Sequence, residues 1–522
     1  MFSRSNAFIR PLERLPVTVP ASRFATGALA SVREWSATLV RVATSRTGAW
    51  VLLAVACLGS RLATTISYVE DPDSLRFALS VADGFDVAAL QPHFPGYPVF
   101  WAASTLFYLP TGHFSASFSL VGGCATLGLM AALLHLWRVP LRSADGLAIA
   151  AVVFFNPLVW LMGTRYMPDL LGTACAIGAL AVLLRAVSEP ADDVTRERAA
   201  TLGILLTGLL AGLRLSYLPL VLVPALLVLM RSPAPWRLAL LGGASVAVWL
   251  VPMILDTGLR TLIEVAWTQT TGHFTEFGGT VQTESDLSRR VAGFVRGLWA
   301  DGLGAWWPGR HPLTGGVGVG MLGLGAIGAV RLGRAVRGSS RRLWVLVASV
   351  ALYTVWVFFF QNVIHKSRHV LPLIPLLLLV LAGGAGALWR HSAWGRAAGL
   401  AVLGAYAAVT VVLVRQHLEP SAIAQAKAFV EARASAASAP TRVASIPLVN
   451  TYLRKQRIDA RFVSVNDSTD VRRLRRAKRG HTLVVGTYPS LFDRSPARVR
   501  RFYHNPYVNR MWPEVTVSVY DH

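Results

Sequence analysis

Long apolar runs separated by short basic turns set the pattern of this chain. Runs close to the length that crosses a bilayer, about 20 helical residues for a hydrocarbon core of roughly 30 Å, recur at 49–67, 115–137, 144–162, 168–187, 200–213, 217–230, 238–255, 314–333, 343–361, 369–389 and 397–414. A further apolar and aromatic stretch, 98–109, is too short to span and reads as a re-entrant or juxtamembrane helix. The pattern predicts an all-α polytopic membrane protein of about eleven transmembrane helices, its membrane domain covering 49–414.

Two segments between or after the runs are large. Residues 256–312 carry Trp267, His273, Glu276, Trp306, Trp307 and His311, with a helix expected at 284–300 and a mobile glycine-rich part around Gly272, Gly278 and Gly279. The tryptophans serve either an interfacial belt or substrate contact. Residues 415–522 change character altogether. Helical stretches at 422–432, 448–456 and 469–479 alternate with strand-like stretches at 443–446, 462–465, 482–487 and 515–520. That alternation predicts a small soluble α/β domain with a three- or four-stranded layer.

Charge orients the runs. If 98–109 does not cross, the loops at 138–142, 185–198, 231–237, 331–342 and 390–396 share one side with residues 1–48, and together they hold 21 arginines. The turns at 163–167, 214–216 and 362–368 then fall on the other side with Arg165, Arg214, Lys366 and Arg368 only. Basic loops stay cytoplasmic. The expectation is a multi-pass protein of the cell inner (plasma) membrane, with its N-terminus inside and the 415–522 domain extracytoplasmic. Residues 1–48 hold seven arginines and two glutamates and show no short apolar core before a cleavage site, so they read as a partly disordered cytoplasmic arm rather than a signal peptide.

Composition adds little beyond this. Only 15% of the residues are charged, while a soluble domain averages about 25%. The net charge of +24 comes largely from those arginine-rich loops, so it gives no reason to expect nucleic acid as a partner. Cys57, Cys124 and Cys175 all lie inside apolar runs and form neither a metal spacing nor a disulfide framework. The basic run Arg472, Arg473, Arg475, Arg476, Lys478 and Arg479 reads as a solvated helix face, with contact to anionic membrane lipids as the alternative.

The chemistry concentrates in 68–114, the loop after the first span. It begins YVEDPD and continues to His93 and the turn Pro95-Gly96-Tyr97-Pro98. Acids at a membrane edge are costly to hold and usually functional. Glu70, Asp71 and Asp73 repel one another, which favours either a bound cation or a raised pKa. A carboxylate there serves as a general base or as an oxygen ligand to Mg²⁺, Mn²⁺ or Ca²⁺. The competing reading is that the acids cap a short interfacial helix at 75–82. His93 is a candidate for substrate or metal contact, or a structural corner. Arg165 and Asp169 share one tight turn, where Asp169 either caps the following helix or faces Asp71. His365, Lys366 and Arg368 crowd another turn, with Arg214 in a third. Positive charge on that side runs against topology, and a phosphate ligand would account for it. Anchoring to lipid headgroups is the alternative.

These segments together resemble the GT-C fold of membrane glycosyltransferases that use lipid-phosphate-linked sugars, a group that includes protein O-mannosyltransferases and the aminoarabinose transferases of lipid A. The resemblance lies in EDPD after the first span, in HFPGYP, similar to the HPPGYP of a bacterial branch, in GTRYMPD, in HKSRHVLPLIP, and in the soluble domain that ends the chain. It implies a polyprenyl-phosphate sugar donor, a lipid, glycan or protein acceptor, and inverting displacement at the outer face. It also implies catalytic acids at Asp71 or Asp73 and at Asp169, the same three being the candidate metal ligands. Lys366, Arg368 and Arg214 would hold the donor phosphate. Glu70, His93, Tyr97, Arg165 and His365 complete the expected substrate-binding set. Many relatives join Asp directly to Glu where this chain has Asp-Pro-Asp, which leaves the base open between Asp71 and Asp73. A transporter or flippase of a lipid-linked substrate is the alternative, but it would place charges or broken helices near the bilayer midplane. A non-catalytic scaffold leaves the acids unexplained.

Overall fold

The computed structural model describes residues 45–188, 193–336, 340–436, 440–476, 481–488 and 491–521. Most of the expected N-terminal arm, together with Lys478 and Arg479, lies outside these residues. The chain divides into two units, Met1–Leu52 and Leu53–His522. The described part of the first is chiefly the opening of helix α1, Arg46–Ala63.

Within the second unit, the acidic loop leads to α2 (Pro72–Ala82) and α3 (Pro98–Thr111), and then to the long α4 (Phe114–Trp137). Next come α5 (Ala144–Phe154), α6 (Pro157–Met162), α7 (Asp169–Ser188), α8 (Asp193–Arg214), α9 (Pro219–Arg231) and α10 (Pro235–Thr257). The large loop contains α11 (Leu259–Gly272) and α12 (Leu287–Arg296), each followed by a π-helical turn, His273–Phe277 and Gly297–Gly302. The bundle ends with α13 (Thr314–Val336), α14 (Ser340–Phe360), α15 (Ile374–His391) and α16 (Ala393–His417).

Among the described residues, eight helices are long and apolar enough to cross a membrane, and α5 and α9 are shorter apolar helices. The spans Phe114–Trp137, Asp169–Val187 and Ser367–His391 are 72%, 72% and 78% buried, so they form the centre of the bundle. Pro235–Thr257 is only 17% buried yet strongly apolar, and a helix of that kind needs lipid around it. Close packing at the centre uses small residues. A Cβ on Gly328 would overlap the carbonyl of Val380, and one on Gly384 would overlap that of Leu324, which lets α13 and α15 meet backbone to backbone.

The run predicted as one span at 144–162 is broken. The helix stops at Phe154, and Asn156 caps a new one by accepting from the Val159 amide at 2.9 Å. Pro157 has no amide to continue the ladder. The Asn156 amide donates to the Gly302 carbonyl (2.7 Å) and the Tyr406 hydroxyl (2.6 Å), so the break pins the second π-turn. The stretch 98–109 forms α3, 14 residues long, packed against α4.

The C-terminal region is a five-stranded sheet in the order β2-β1-β3-β5-β4. Strands β1 (Arg442–Ser445), β2 (Arg461–Ser464) and β3 (His481–Val485) run parallel. Strand β5 (Glu514–Asp521) is antiparallel to β3 and to β4 (Arg498–Tyr503). Helices α17 (Ala422–Ala436) and α18 (Pro447–Lys455) cover one face through Ile423, Val430 and Leu453, while Leu474 of α19 (Ser468–Arg476) packs on the other. The apolar pattern gives no sign of β4. Its sequence RVRRFY leaves nearly every side chain exposed, as suits a charged edge strand. Leu75 of α2 enters the core of this domain, so the acidic loop is wedged between sheet and bundle.

Candidate active site

The acids owe their positions to the start of α2. Asp71 is its N-cap: the Ser74 amide donates to Asp71 Oδ1 at 2.8 Å, and the Asp71 amide donates back to Ser74 Oγ at 2.9 Å. Pro72 occupies the first turn, where its missing N–H costs nothing. The helix is held by its apolar face. Phe77 packs edge-on against His93, Tyr97 and Phe100.

Asp73, two residues on, points to the basic turn. Its Oδ2 accepts from Arg368 Nη2 at 2.6 Å and from Lys366 Nζ at 3.2 Å, and Arg76 lies 3.6 Å from Oδ1. Burial pushes its carboxyl up, but Lys366 and Arg368 outweigh that and hold it well below the usual carboxylate range. Asp71 goes the other way, raised by burial and then by the charge of Asp73. Burial draws the Lys366 ammonium down against the pull of Asp73.

Glu70 faces a different set of partners. Arg165 grips it with Nη2 to Oε1 and Nε to Oε2, both at 2.7 Å, and His417 Nε2 stands 3.4 Å from Oε1. Despite burial, these partners, Arg165 foremost, hold its carboxyl at about 2. Its carbonyl accepts from Ser421 Oγ and Asn509 Nδ2, each at 3.4 Å. Glu70 therefore ties the acidic loop to the 163–169 turn, the end of α16 and the C-terminal domain.

Asp71, Arg165, His365, Lys366 and Arg368 line one cleft at the end of the bundle that bears the sheet. Its other wall was not foreseen from the sequence. The loop between β4 and β5, His504–Pro513, brings Tyr507, Asn509 and Arg510 over the cleft. It is fastened by Arg165 donating to the Val508 carbonyl and by Tyr507 Oη donating to the Pro308 carbonyl at 2.7 Å. Asp301, from the second π-turn, completes this wall.

The other expected site residues form a layer beside the cleft. Asp169 is fully buried, with Arg214 Nη2 and Tyr217 Oη each 3.1 Å from its Oδ1. Arg214 Nη1 donates to Tyr97 Oη at 2.8 Å, and that oxygen lies 3.2 Å from His93 Nε2. Tyr217 Oη also reaches the Arg368 carbonyl at 3.2 Å. Burial lowers the His93 imidazole to about 3 despite the nearby Asp73. Glu70, Asp73, His93, Tyr97, Asp169 and Arg214 are not among the residues that line the cleft. His365 does line it, with Nε2 3.1 Å from Glu284 Oε1.

Asp71, Asp73 and Asp169 do not converge as metal ligands. Among the described residues no three His, Cys, Asp or Glu side chains are placed to share an ion. Asp73 and Asp169 are each committed to cationic side chains.

No protein-family model matches the chain, and no curated protein matches it in sequence. Its fold does have solved counterparts. It is similar to ArnT from Cupriavidus metallidurans bound to undecaprenyl phosphate, with a TM-score of 0.52 and 14% identity over 90% of this chain and 97% of that one. The apo state of the same ArnT gives 0.53 and 14%, over 91% and 98%. At that identity the likeness is one of fold, and the fold is GT-C.

Proposed function

We propose that the chain is a membrane glycosyltransferase that moves a sugar from a polyprenyl-phosphate donor to an acceptor hydroxyl on a lipid, glycan or protein. The observation that carries this reading is the divergence of two acids one proline apart. Asp73 is locked to Lys366 and Arg368, whereas Asp71 lines the cleft with its affinity for a proton raised. Pairs of carboxylates driven apart in this way mark acid–base sites. Undecaprenyl phosphate, bound by the ArnT of similar fold, is the donor carrier the cationic turn suits.

In this mechanism Lys366 and Arg368 hold the donor phosphate, as a point charge and as a planar fork respectively. The acceptor oxygen attacks the anomeric carbon from the face opposite the phosphate. Asp71 takes its proton as the bond to carbon forms. The bond from that carbon to the phosphate oxygen breaks, and the polyprenyl phosphate leaves with its electron pair. The configuration inverts. Asp73 keeps the two cations in place, Glu70 and Arg165 fix the loop, and Asp169 with Arg214 and Tyr217 supports Arg368 from behind. The cleft faces the extracytoplasmic side in this reading, which the arginine-rich loops at the other end of the spans support.

The test is purified protein incubated with a panel of undecaprenyl-phosphate sugars while loss of sugar is followed. Loss with at least one donor in wild type, abolished in Asp71→Asn, supports the reading. An Asp71→Asn protein as fast as wild type would remove the base assignment.

A further inference from the structure

Asp301 is not accounted for by the reaction as described. It sits in the π-helical turn Gly297–Gly302, and such turns are often found at functional sites. Its side chain is 4% exposed and lines the same cleft as Asp71 and Lys366. One oxygen, Oδ2, is 3.0 Å from Arg510 Nη1 on the β4–β5 loop. The other, Oδ1, has no hydrogen-bond partner among the described residues; Arg296 Nε stands 4.0 Å away. Arg510 meets the carboxylate through one nitrogen only, its Nη2 donating to the Gly293 carbonyl at 3.4 Å, so Oδ1 is left over. An orphaned buried acceptor is costly and calls for a partner.

The turn is also held firmly in place. Asn156 grips the Gly302 carbonyl, and Arg310 Nη1 donates to the carbonyls of Ala300 (2.6 Å) and Ala305 (3.1 Å). Burial raises the Asp301 carboxyl even with three arginines near it. The carboxylate is thus fixed and poorly solvated, and Asp301 belongs to the wall of the cleft that Asp71 and Lys366 also line.

We infer that Asp301, steadied by Arg510, is a sugar-binding residue whose free oxygen accepts a hydrogen bond from a hydroxyl of the transferred sugar and sets which sugar is used. This rests on the donor reading given above. A site built to pair a substrate hydroxyl discriminates strongly against analogues that lack it.

The test uses the full-length protein in detergent, binding undecaprenyl phosphate alone and its mannosyl, glucosyl, galactosyl and arabinosyl esters. At least one ester is expected to bind wild type more tightly than undecaprenyl phosphate. Asp301→Ala should lose that gain by about tenfold or more, with the affinity for undecaprenyl phosphate within about twofold of wild type. Asp301→Asn keeps the volume and an acceptor for Arg510, and should lose part of the gain; it carries the test if Asp301→Ala fails to fold. The inference is overturned if both variants keep the gain, if undecaprenyl phosphate binding falls equally, or if no ester outbinds undecaprenyl phosphate in wild type. If wild type binds neither undecaprenyl phosphate nor any ester, the donor reading itself falls, and this inference with it.

Discussion

Neighbouring acids Glu70 and Asp71 should respond in opposite ways to the same isosteric change. Glu70→Gln removes the charge that Arg165 and His417 share. Its carboxyl is lowered from 4.5 to about 2. At about 1.4 kcal/mol per tenfold in proton affinity this is roughly 3 kcal/mol of stability. The folded value lies below the unfolded one, so this contribution is complete above about pH 4.5 and is lost as pH falls through about 2. Leaving Arg165 buried and unpaired sets a similar scale, about 3–5 kcal/mol. Asp71→Asn should cost little. Asparagine caps a helix about as well as aspartate, so the Ser74 amide keeps its acceptor. The raised pKa of Asp71 means that its charge opposes folding at neutral pH, and the amide removes that opposition. Loss of a general base should nevertheless slow transfer by about 10²–10⁴-fold. Chemical unfolding in detergent micelles, read beside transfer rate, separates the two. Glu70→Gln should lower the unfolding midpoint markedly, while Asp71→Asn keeps it and loses turnover. Equal destabilisation by both changes, or near-normal turnover in Asp71→Asn, would refute the division of roles.

Lys366→Ala and Arg368→Ala should each weaken undecaprenyl phosphate binding by about tenfold or more, as expected for a charge-assisted contact of about 1.5–3 kcal/mol; unchanged affinity in both would remove the phosphate role. The rate should fall on the acid side as Asp71 takes up its proton, with a midpoint above the usual carboxylate range. Asp73→Asn removes one of the influences that raise Asp71, so the acid limb should move to lower pH while the KM for donor rises; an unshifted limb would count against the coupling. A reporter fused after Tyr520 should be extracytoplasmic, and a cytoplasmic signal would invert the topology.

The spans were legible because lipid demands one simple property over about 20 residues. What failed at 144–162 was continuity: the Asn156-Pro157 break is a local signal that an apolar window averages away. The cationic turn could be read because arginine and lysine on the wrong side of a charge count stand out. The wall formed by Asp301 and Arg510 could not. The two residues lie 209 positions apart, and their meeting depends on how a hairpin from the sheet settles over a π-turn. The signal available was an interstrand segment rich in Asn, Pro, Tyr and Trp, HNPYVNRMWP, which nothing in a small α/β domain requires. His417, a partner of Glu70, was hidden for the same reason, since it reaches that acid from a distant helix end.

We propose that the geometry of a helix start decides between the two acids of Asp-Pro-Asp. In an extended chain, residues i and i+2 project to one side, and the two acids would be interchangeable. Here Pro72 begins α2, which makes Asp71 the cap and Asp73 a first-turn residue. The cap residue keeps an extended backbone, with φ −159° and ψ 173°, while its successor's chain has already turned. One carboxylate is left against the cleft and the other is swung onto Lys366 and Arg368. Moving the proline should therefore matter as much as removing an acid. Pro72→Ala keeps both acids and loses a residue whose ring fixes φ near the helical value. Its expected signature is a lower rate with undecaprenyl phosphate affinity retained, because the cations stay paired to Asp73 while the cap loosens. A Pro72→Ala protein with the wild-type rate and pH profile would show that the helix start does not decide which acid takes the proton.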